Sequence, residues 1–309
     1  MKILGIGNAI VDVICKVDEK FINNNNLTKS NMKLIFDEKE FKNLLSNLTI
    51  EKTISGGSVA NSIVGLSQLG NKVGFIGKVS DDKFGEQYET GLKKENVNFI
   101  YNKKKEELPT GTCLILITPD SERTMCTFLG TAGKINENDV DENAIKKSEL
   151  IFLEGYLWDE GDPKRAFEKA IGFANKVAMS LSDKFCVDRH KTHFLELVKN
   201  KLDITFANED EISSLINAKD FNEVIQFGKK INKSLVITRG AKGAISIINN
   251  QVEEIGIQKN LKIIDLTGAG DLFAAGYLHG YLNNYSQLDC LKKGTEMSSK
   301  IIQKIGARI

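Results

Sequence analysis

Proline is scarce, with 3 in 309 residues, and neither charge is in excess: 42 Lys and Arg face 41 Asp and Glu, a formal net charge of +1. The low proline count reads as a compositional habit and carries no function. A near-neutral chain lacks the broad basic surface that nucleic-acid binding needs. No apolar run reaches the length of a membrane-spanning helix. Asn8 and Asp12 interrupt the only early apolar stretch, so no signal peptide is expected. Cys15, Cys113, Cys126, Cys186 and Cys290 are odd in number and scattered, without a Cys-x-x-Cys pair at metal-ligand spacing. They read as reduced thiols of a cytoplasmic protein.

Several signatures are missing as well. There is no Gly-x-x-x-x-Gly-Lys-Ser/Thr, which excludes a P-loop enzyme. The protein-kinase signatures His-Arg-Asp and Asp-Phe-Gly are absent. The partial Gly-x-Gly at Gly5 and Gly7 has Ile10 where a dinucleotide fingerprint needs its third glycine. No internal repeat or disordered linker interrupts the chain.

What is present is a globular balance of 41% hydrophobic and 27% charged residues. The length allows one large domain or two modest ones. Residues 2–7 form a short apolar run, expected as the first buried strand, with Asn8 and Asp12 beyond it. In open α/β sheets a ligand sits beyond the carboxyl ends of the strands, which is where these two residues fall. Runs at 150–153, 177–181, 204–207 and 234–238 alternate with helical patterns near 163–174, 192–200, 210–216 and 221–231. Such alternation predicts a mostly parallel sheet wrapped by helices. Asn249-Asn250 between two apolar runs predicts a hairpin. Two helices, about 269–282 and 287–305, are expected to finish the chain.

Runs at 11–17, 32–36, 111–118 and 123–128 suggest a small antiparallel sheet. It has no second layer of its own, so it is expected either to project as a lid, from segments 11–36 and 109–128, or to extend the main sheet. Residues 101–108 are charged and polar and read as a solvated loop.

The richest stretch is Asp265-Leu266-Thr267-Gly268-Ala269-Gly270-Asp271. An apolar strand at 262–264 is expected to run into a glycine turn that opens an apolar helix. Free N–H groups at a helix start attract anions. Glycines let the backbone approach a ligand closely. An acid placed there faces both a base's task and an anion hole, which suits phosphoryl transfer to a hydroxyl.

Upstream, Gly56-Gly57-Ser58 precedes a helix expected to run to about Leu69, with Ser58 as its cap, Gly70 as its stop and Asn61 one turn in. Asn208-Glu209-Asp210-Glu211 follows the run at 204–207, and Thr238-Arg239-Gly240-Ala241-Lys242-Gly243 follows the run at 234–237. Each also reads as ordinary capping or turn chemistry. The reactive groups between Ser180 and His190 read as a strand end, a turn and a helix start.

In order and spacing, Gly-Gly-x-x-x-Asn, Asn-x-x-Glu and Asp-x-Thr-Gly-Ala-Gly-Asp resemble the motifs of the ribokinase (PfkB) family of carbohydrate and nucleoside kinases. The resemblance covers nearly the whole chain. Glu122-Arg123-Thr124-Met125, Glu154-Gly155-Tyr156-Leu157-Trp158-Asp159 and Ile305-Gly306-Ala307-Arg308 are similar to adenosine kinase-like members. It implies a single α/β three-layer sandwich over residues 1–309, with a mostly parallel sheet and a β-sheet lid. It also implies ATP and Mg²⁺ as cofactors and a nucleoside or sugar as the partner.

By the same resemblance Asp271 is the base, and Gly268, Ala269 and Gly270 supply the anion hole. Asn8, Asp12, Gly56, Gly57 and Asn61 bind the acceptor. Thr238, Gly240, Gly243, Asn208 and Glu211 face the nucleotide, with Glu211 reaching the metal through water. Asp12 with Asn61 suits a vicinal diol. Ile10, Phe36, Tyr156, Leu157 and Phe185 are candidate walls for a base. No monovalent-cation ligand set is legible around Thr295 and Glu296. The 5′-hydroxyl of adenosine is the expected acceptor, with ribose, fructose or a related sugar as the alternative. A non-catalytic nucleoside or sugar sensor is the reading outside the enzymes. Monomer and homodimer both remain open.

Overall fold

A computed structural model describes residues 1–120, 122–158 and 161–309. Ser121, inside the expected lid segment, and Asp159, in the segment beginning at Glu154, lie outside the described residues. In chain order the strands are β1 Ile3–Ile6, β2 Ile10–Lys16, β3 Met32–Ile35, β4 Ile50–Ser55, β5 Val73–Ile76, β6 Asn98–Phe99, β7 Gly111–Ile117, β8 Arg123–Phe128, β9 Leu150–Glu154, β10 Val177–Ser180, β11 Ile204–Asn208, β12 Ser234–Thr238, β13 Ala244–Ile248 and β14 Gln251–Ile255. The helices are α1 Glu19–Asn24, α2 Glu38–Ser46, α3 Ser58–Gln68, α4 Lys83–Lys94, α5 Glu142–Lys146, α6 Asp162–Phe173, α7 Lys184–Asn200, α8 Glu209–Ile216, α9 Phe221–Ile231, α10 Ala269–Leu282 and α11 Gln287–Ile301.

Nine strands form the central sheet in the order β14-β13-β12-β11-β10-β9-β1-β5-β6. Pairing is parallel from β12 through β6, and β13 pairs antiparallel with both β12 and β14. Strands β1, β5 and β9 are buried along their whole length, as strands covered on both faces must be. Alternate residues feed two cores. Ile3 and Phe152 pack with α3, α10 and α11, whereas Leu4, Ile151 and Leu153 pack with α5 to α9. Helix α10 is apolar on nearly every side because α3 and α11 both press on it. Asn249 and Asn250 take left-handed φ values of 48° and 69°, as a two-residue hairpin turn demands.

The second sheet runs β3-β8-β7-β2-β4. It is mixed, which corrects the antiparallel expectation: β2 pairs β7 and β3 pairs β8 in parallel. Strand β4 is its unforeseen fifth member. It is an edge strand whose first half is exposed, so it lacks the alternation that marks a half-buried strand.

Three further expectations change. Residues 262–264 are not a strand. Ile263 and Ile264 are 63% and 50% exposed, and the Ile264 N–H donates to Ile302 O at 2.8 Å instead of to a neighbouring strand. Ser58 is not the cap of α3. Gly57 holds that position, and Ser58 is the first helical residue. Helix α7 begins at Lys184, well before the expected 192, capped by Asp183. Among the described residues no helix is long and apolar enough to cross a membrane.

Candidate active site

Asp271 stands in the first turn of α10, behind Gly268, which caps that helix with φ +77°. A side chain on Gly268 would meet Ala307 Cα at 2.7 Å, so the turn is held closely by segment 302–309. The first helical bond of α10 runs from Leu272 N–H to Gly268 O at 2.9 Å. The N–H groups of Gly270 and Asp271 precede that bond and have no intrahelical acceptor. The Ala269 N–H already donates to Leu266 O at 3.1 Å. Nothing lies within 4 Å of the place a Gly270 side chain would fill, so this part of the turn faces open space.

Helix α3 presents its own first turn to the same acid. Ser58 Oγ donates to Asp271 Oδ1 at 2.6 Å, and Asn61 Nδ2 donates to Oδ2 at 3.0 Å. Ser62 Oγ donates to the Asp271 carbonyl at 2.8 Å. The Ser58 hydroxyl therefore serves Asp271 instead of its own helix. Burial pushes the Asp271 carboxyl up to about 6, against the Ser58 and Asn61 hydrogen bonds and the Arg308 charge.

Two cavities flank the Asn61–Asp271 hydrogen bond. One, of about 370 Å³, lies over the carboxyl ends of the central strands, lined by Ser58, Asn208, Glu211, Thr238, Gly270 and Asp271. The other, of about 920 Å³, lies between the second sheet, α4 and segment 305–309, with Val11, Asp12, Ile54, Asn61, Ile115 and Arg308 in its wall. Asn61 lines the larger cavity and Asp271 the smaller, so their hydrogen bond joins the two.

Asn208 and Glu211 form a reciprocal capping box at the start of α8. Asn208 N–H and Nδ2 donate to the two Glu211 oxygens at 3.0 and 2.6 Å, and Glu211 N–H donates to Asn208 Oδ1 at 2.8 Å. Burial pushes the Glu211 carboxyl up to about 7, and no cation pairs with it directly among the described residues. A buried acid at the cavity edge fits a water-bridged divalent cation. Among the described residues no three His, Cys, Asp or Glu side chains converge to cage a metal.

In the wall of the larger cavity, burial raises Asp12 to about 7; Arg308 opposes the shift and Asp271 adds to it. The Asp12 carboxylate lies against Gly56, where an added side chain would meet it at 2.4 Å. Gly57 has φ +95° and would meet the Asn8 carbonyl at 2.3 Å if it carried a Cβ. Asn8 is buried and lines neither cavity. It donates from Nδ2 to Glu154 Oε1 at 2.9 Å, leaving Oδ1 without a partner. Gly240 and Gly243 shape the turn after β12, both with positive φ, and line neither cavity.

Of the candidate base walls, Phe36 and Phe185 are 84% and 75% exposed, and Ile10 and Leu157 are buried elsewhere. Tyr156 lines the smaller cavity. The apolar wall of the larger cavity is aliphatic: Val11, Ile14, Ile54, Ile115 and Ile117. Cys186 Sγ donates to Gly155 O at 3.2 Å, and α7 is kinked at His190.

Three contributors lie in segments that sequence reasoning noted by resemblance but gave no role. Glu154 ends a fully buried strand and caps α3 from across the sheet, accepting the Val59 N–H at 3.1 Å. An acid at the carboxyl end of an apolar strand was the available signal. Arg123 of β8 pairs with Asp265, which also accepts the Gly306 N–H at 2.7 Å and the Thr267 N–H and hydroxyl at 3.1 and 2.7 Å. Burial opposes ionisation of Asp265, but these donors hold its carboxyl below the usual range. Arg308 reaches the site from residues distant in sequence; segment 305–308 was marked only by resemblance, which assigned it no role.

Comparison with known proteins gives a consistent result. The model of the pfkB family of carbohydrate kinases matches residues 23–309. The crystal structure of adenosine kinase from Sinorhizobium meliloti is 34% identical with a TM-score of 0.90, covering 100% of this chain and 95% of that one. A probable sugar kinase from Rhizobium etli is 34% identical with a TM-score of 0.89, covering 99% of this chain and 94% of that one. Adenosine kinase 2 from Arabidopsis thaliana is 26% identical over 98% of this chain and 94% of its own length.

Proposed function

Because the chain belongs to the pfkB family of carbohydrate kinases and is a phosphotransferase with an alcohol acceptor, we propose that it moves the γ-phosphoryl group of ATP to the 5′-hydroxyl of adenosine. The carrying observation is the Asn61–Asp271 hydrogen bond. It joins the wall of the smaller cavity, which on this reading takes the phosphates, to the wall of the larger, which takes the acceptor.

The residues act as follows. Asp271 takes the proton of the attacking hydroxyl. The N–H groups of the 268–271 turn stabilise the transferring phosphoryl group, those of Gly270 and Asp271 without rearrangement. The Ala269 N–H joins them by leaving Leu266 O. Asn208 and Glu211 would hold Mg²⁺ through water, and the ion would supply neutralisation of the nucleotide's phosphate charge. Thr238 lines the nucleotide cavity, and Gly240 and Gly243 frame the adjoining turn. Asp12 and Asn61 hold the acceptor diol, supported by Gly56, Gly57 and Asn8. The second sheet, with β4 beside segments 11–36 and 109–128, acts as the lid and excludes water on closing.

Two features favour a nucleoside. A cavity of about 920 Å³ exceeds what a single pentose fills, and its aliphatic wall offers an apolar face to a purine. A free sugar is the second reading. Lys52, Glu86, Gln87 and Glu95 also line that cavity, and likeness to the sugar kinase equals likeness to the adenosine kinase. Parallel turnover assays with adenosine, ribose and fructose decide between them, with adenosine expected to give the highest kcat/KM. Preference for a free sugar overturns the nucleoside assignment. Acceptor binding by calorimetry without any phosphorylation identifies a sensor instead.

A further inference from the structure

We infer that Arg308 is a positioning residue for the reaction: its guanidinium, brought to the acceptor cavity by segment 302–309, orients Asn61 and keeps Asp271 ionised. This rests on the reading of Asp271 as the base.

Arg308 Nε–H donates to Asn61 Oδ1 at 3.1 Å. Asn61 then has its Nδ2 free to face Asp271, to which it donates at 3.0 Å. The three groups form a relay from a cation to the carboxylate, and the amide orientation follows from its two partners. Arg308 Nη2 is buried and has no hydrogen-bond partner among the described residues.

The segment that carries Arg308 is fastened at three points. Ile302 O accepts from Ile264 N–H at 2.8 Å and from Asp265 N–H at 3.2 Å. Gly306 N–H donates to Asp265 Oδ2 at 2.7 Å. Ala307 closes over Gly268. The position of the guanidinium is therefore tied to the turn that holds the phosphoryl group.

The charges around the acid explain why a cation is needed there. Asp12 from β2 and Glu154 from β9 are both acids within reach of its field. Ser58 and Asn61 from α3 offer only neutral donors. Arg308 is the cation that opposes protonation of both Asp12 and Asp271, and Tyr88 and Glu95 also face it.

The test compares Arg308→Gln, Arg308→Met and Arg308→Lys with the parent enzyme. Gln retains a hydrogen-bond donor without charge, Met has neither, and Lys retains the charge. The pH dependence of kcat/KM is measured for each, with a thermal melt as the folding control. In the uncharged variants the acidic limb is expected to move up by about 1–3 pH units, as loss of a nearby opposite charge allows. Arg308→Lys is expected to return it toward the parent position. A role in packing alone would lower the melting temperature without moving the limb. An unmoved limb in an active Gln or Met variant overturns the inference, as does a limb moved equally in all three. A parent enzyme that phosphorylates no acceptor instead overturns the kinase reading beneath it.

Discussion

Asn8 Nδ2 donates to Glu154 Oε1 at 2.9 Å, tying the end of β1 to the end of β9, its neighbour in the central sheet. Glu154 Oε2 accepts the Val59 N–H at 3.1 Å, so one buried acid joins two strands and the start of the helix that carries Ser58 and Asn61. Burial, the largest influence, pushes this carboxyl up to about 7, against the donors Val59 and Asn8.

Asp271→Asn is expected to lower kcat by at least 10²–10⁴-fold, the worth of a positioned base. The melting temperature should change little, because an amide oxygen still accepts from Ser58 or Asn61. Steady-state phosphorylation with a thermal melt checks both. Near-normal turnover would remove Asp271 from the role of base.

Activity is expected to fall as the medium becomes acidic. The base works only when ionised, and Asp271 titrates near 6 beside Asp12 near 7. The pair shares its titration, so kcat/KM should decline from a plateau above pH 7 through the window between about 7 and 6. A profile flat down to pH 5 would contradict this.

Glu154→Gln is expected to flatten the dependence of stability on pH. The folded carboxyl titrates near 7, against 4.5 for the free group, so the native state binds more protons across that interval. Stability therefore falls as pH rises from about 4.5 to 7, and the desolvation cost is fully present above it. The variant loses that slope, and Asn8 can turn its unpartnered Oδ1 toward the new amide. Denaturant midpoints at pH 5 and pH 8 measure the difference; equal slopes in both proteins would refute it.

Gly57→Ala is expected to destabilise the fold by about 1–3 kcal/mol, the usual cost of a strained backbone position. Its φ of +95° disfavours any side chain, and the new Cβ would press on the Asn8 carbonyl. Urea unfolding gives the number directly. An unchanged midpoint would show that strand and helix are not held together here.

Much of this arrangement was legible in the residues themselves. The boundaries of α10 and the Asn249-Asn250 hairpin follow from glycine and asparagine chemistry that acts within a few positions. The acid-ended glycine turn could be placed for the same reason. What was not legible depends on distant partners. Ser58 looks like a helix cap until Asp271 is found beside it. Residues 262–264 look like a strand until the Ile264 N–H is traced to Ile302 O. Strand β4 is an exposed edge that borrows its order from β2, and Arg308 acquires meaning only through Asn61.

The contact between Gly57 and the Asn8 carbonyl leaves no slack between α3 and β1, so the two must travel as a single rigid piece. On the proposed reading, Asn61 rides on that piece as the stationary jaw of a clamp. Asp12, on the smaller sheet, would then be the jaw that swings, and the absence of one methyl group sets which half of the proposed grip stays fixed.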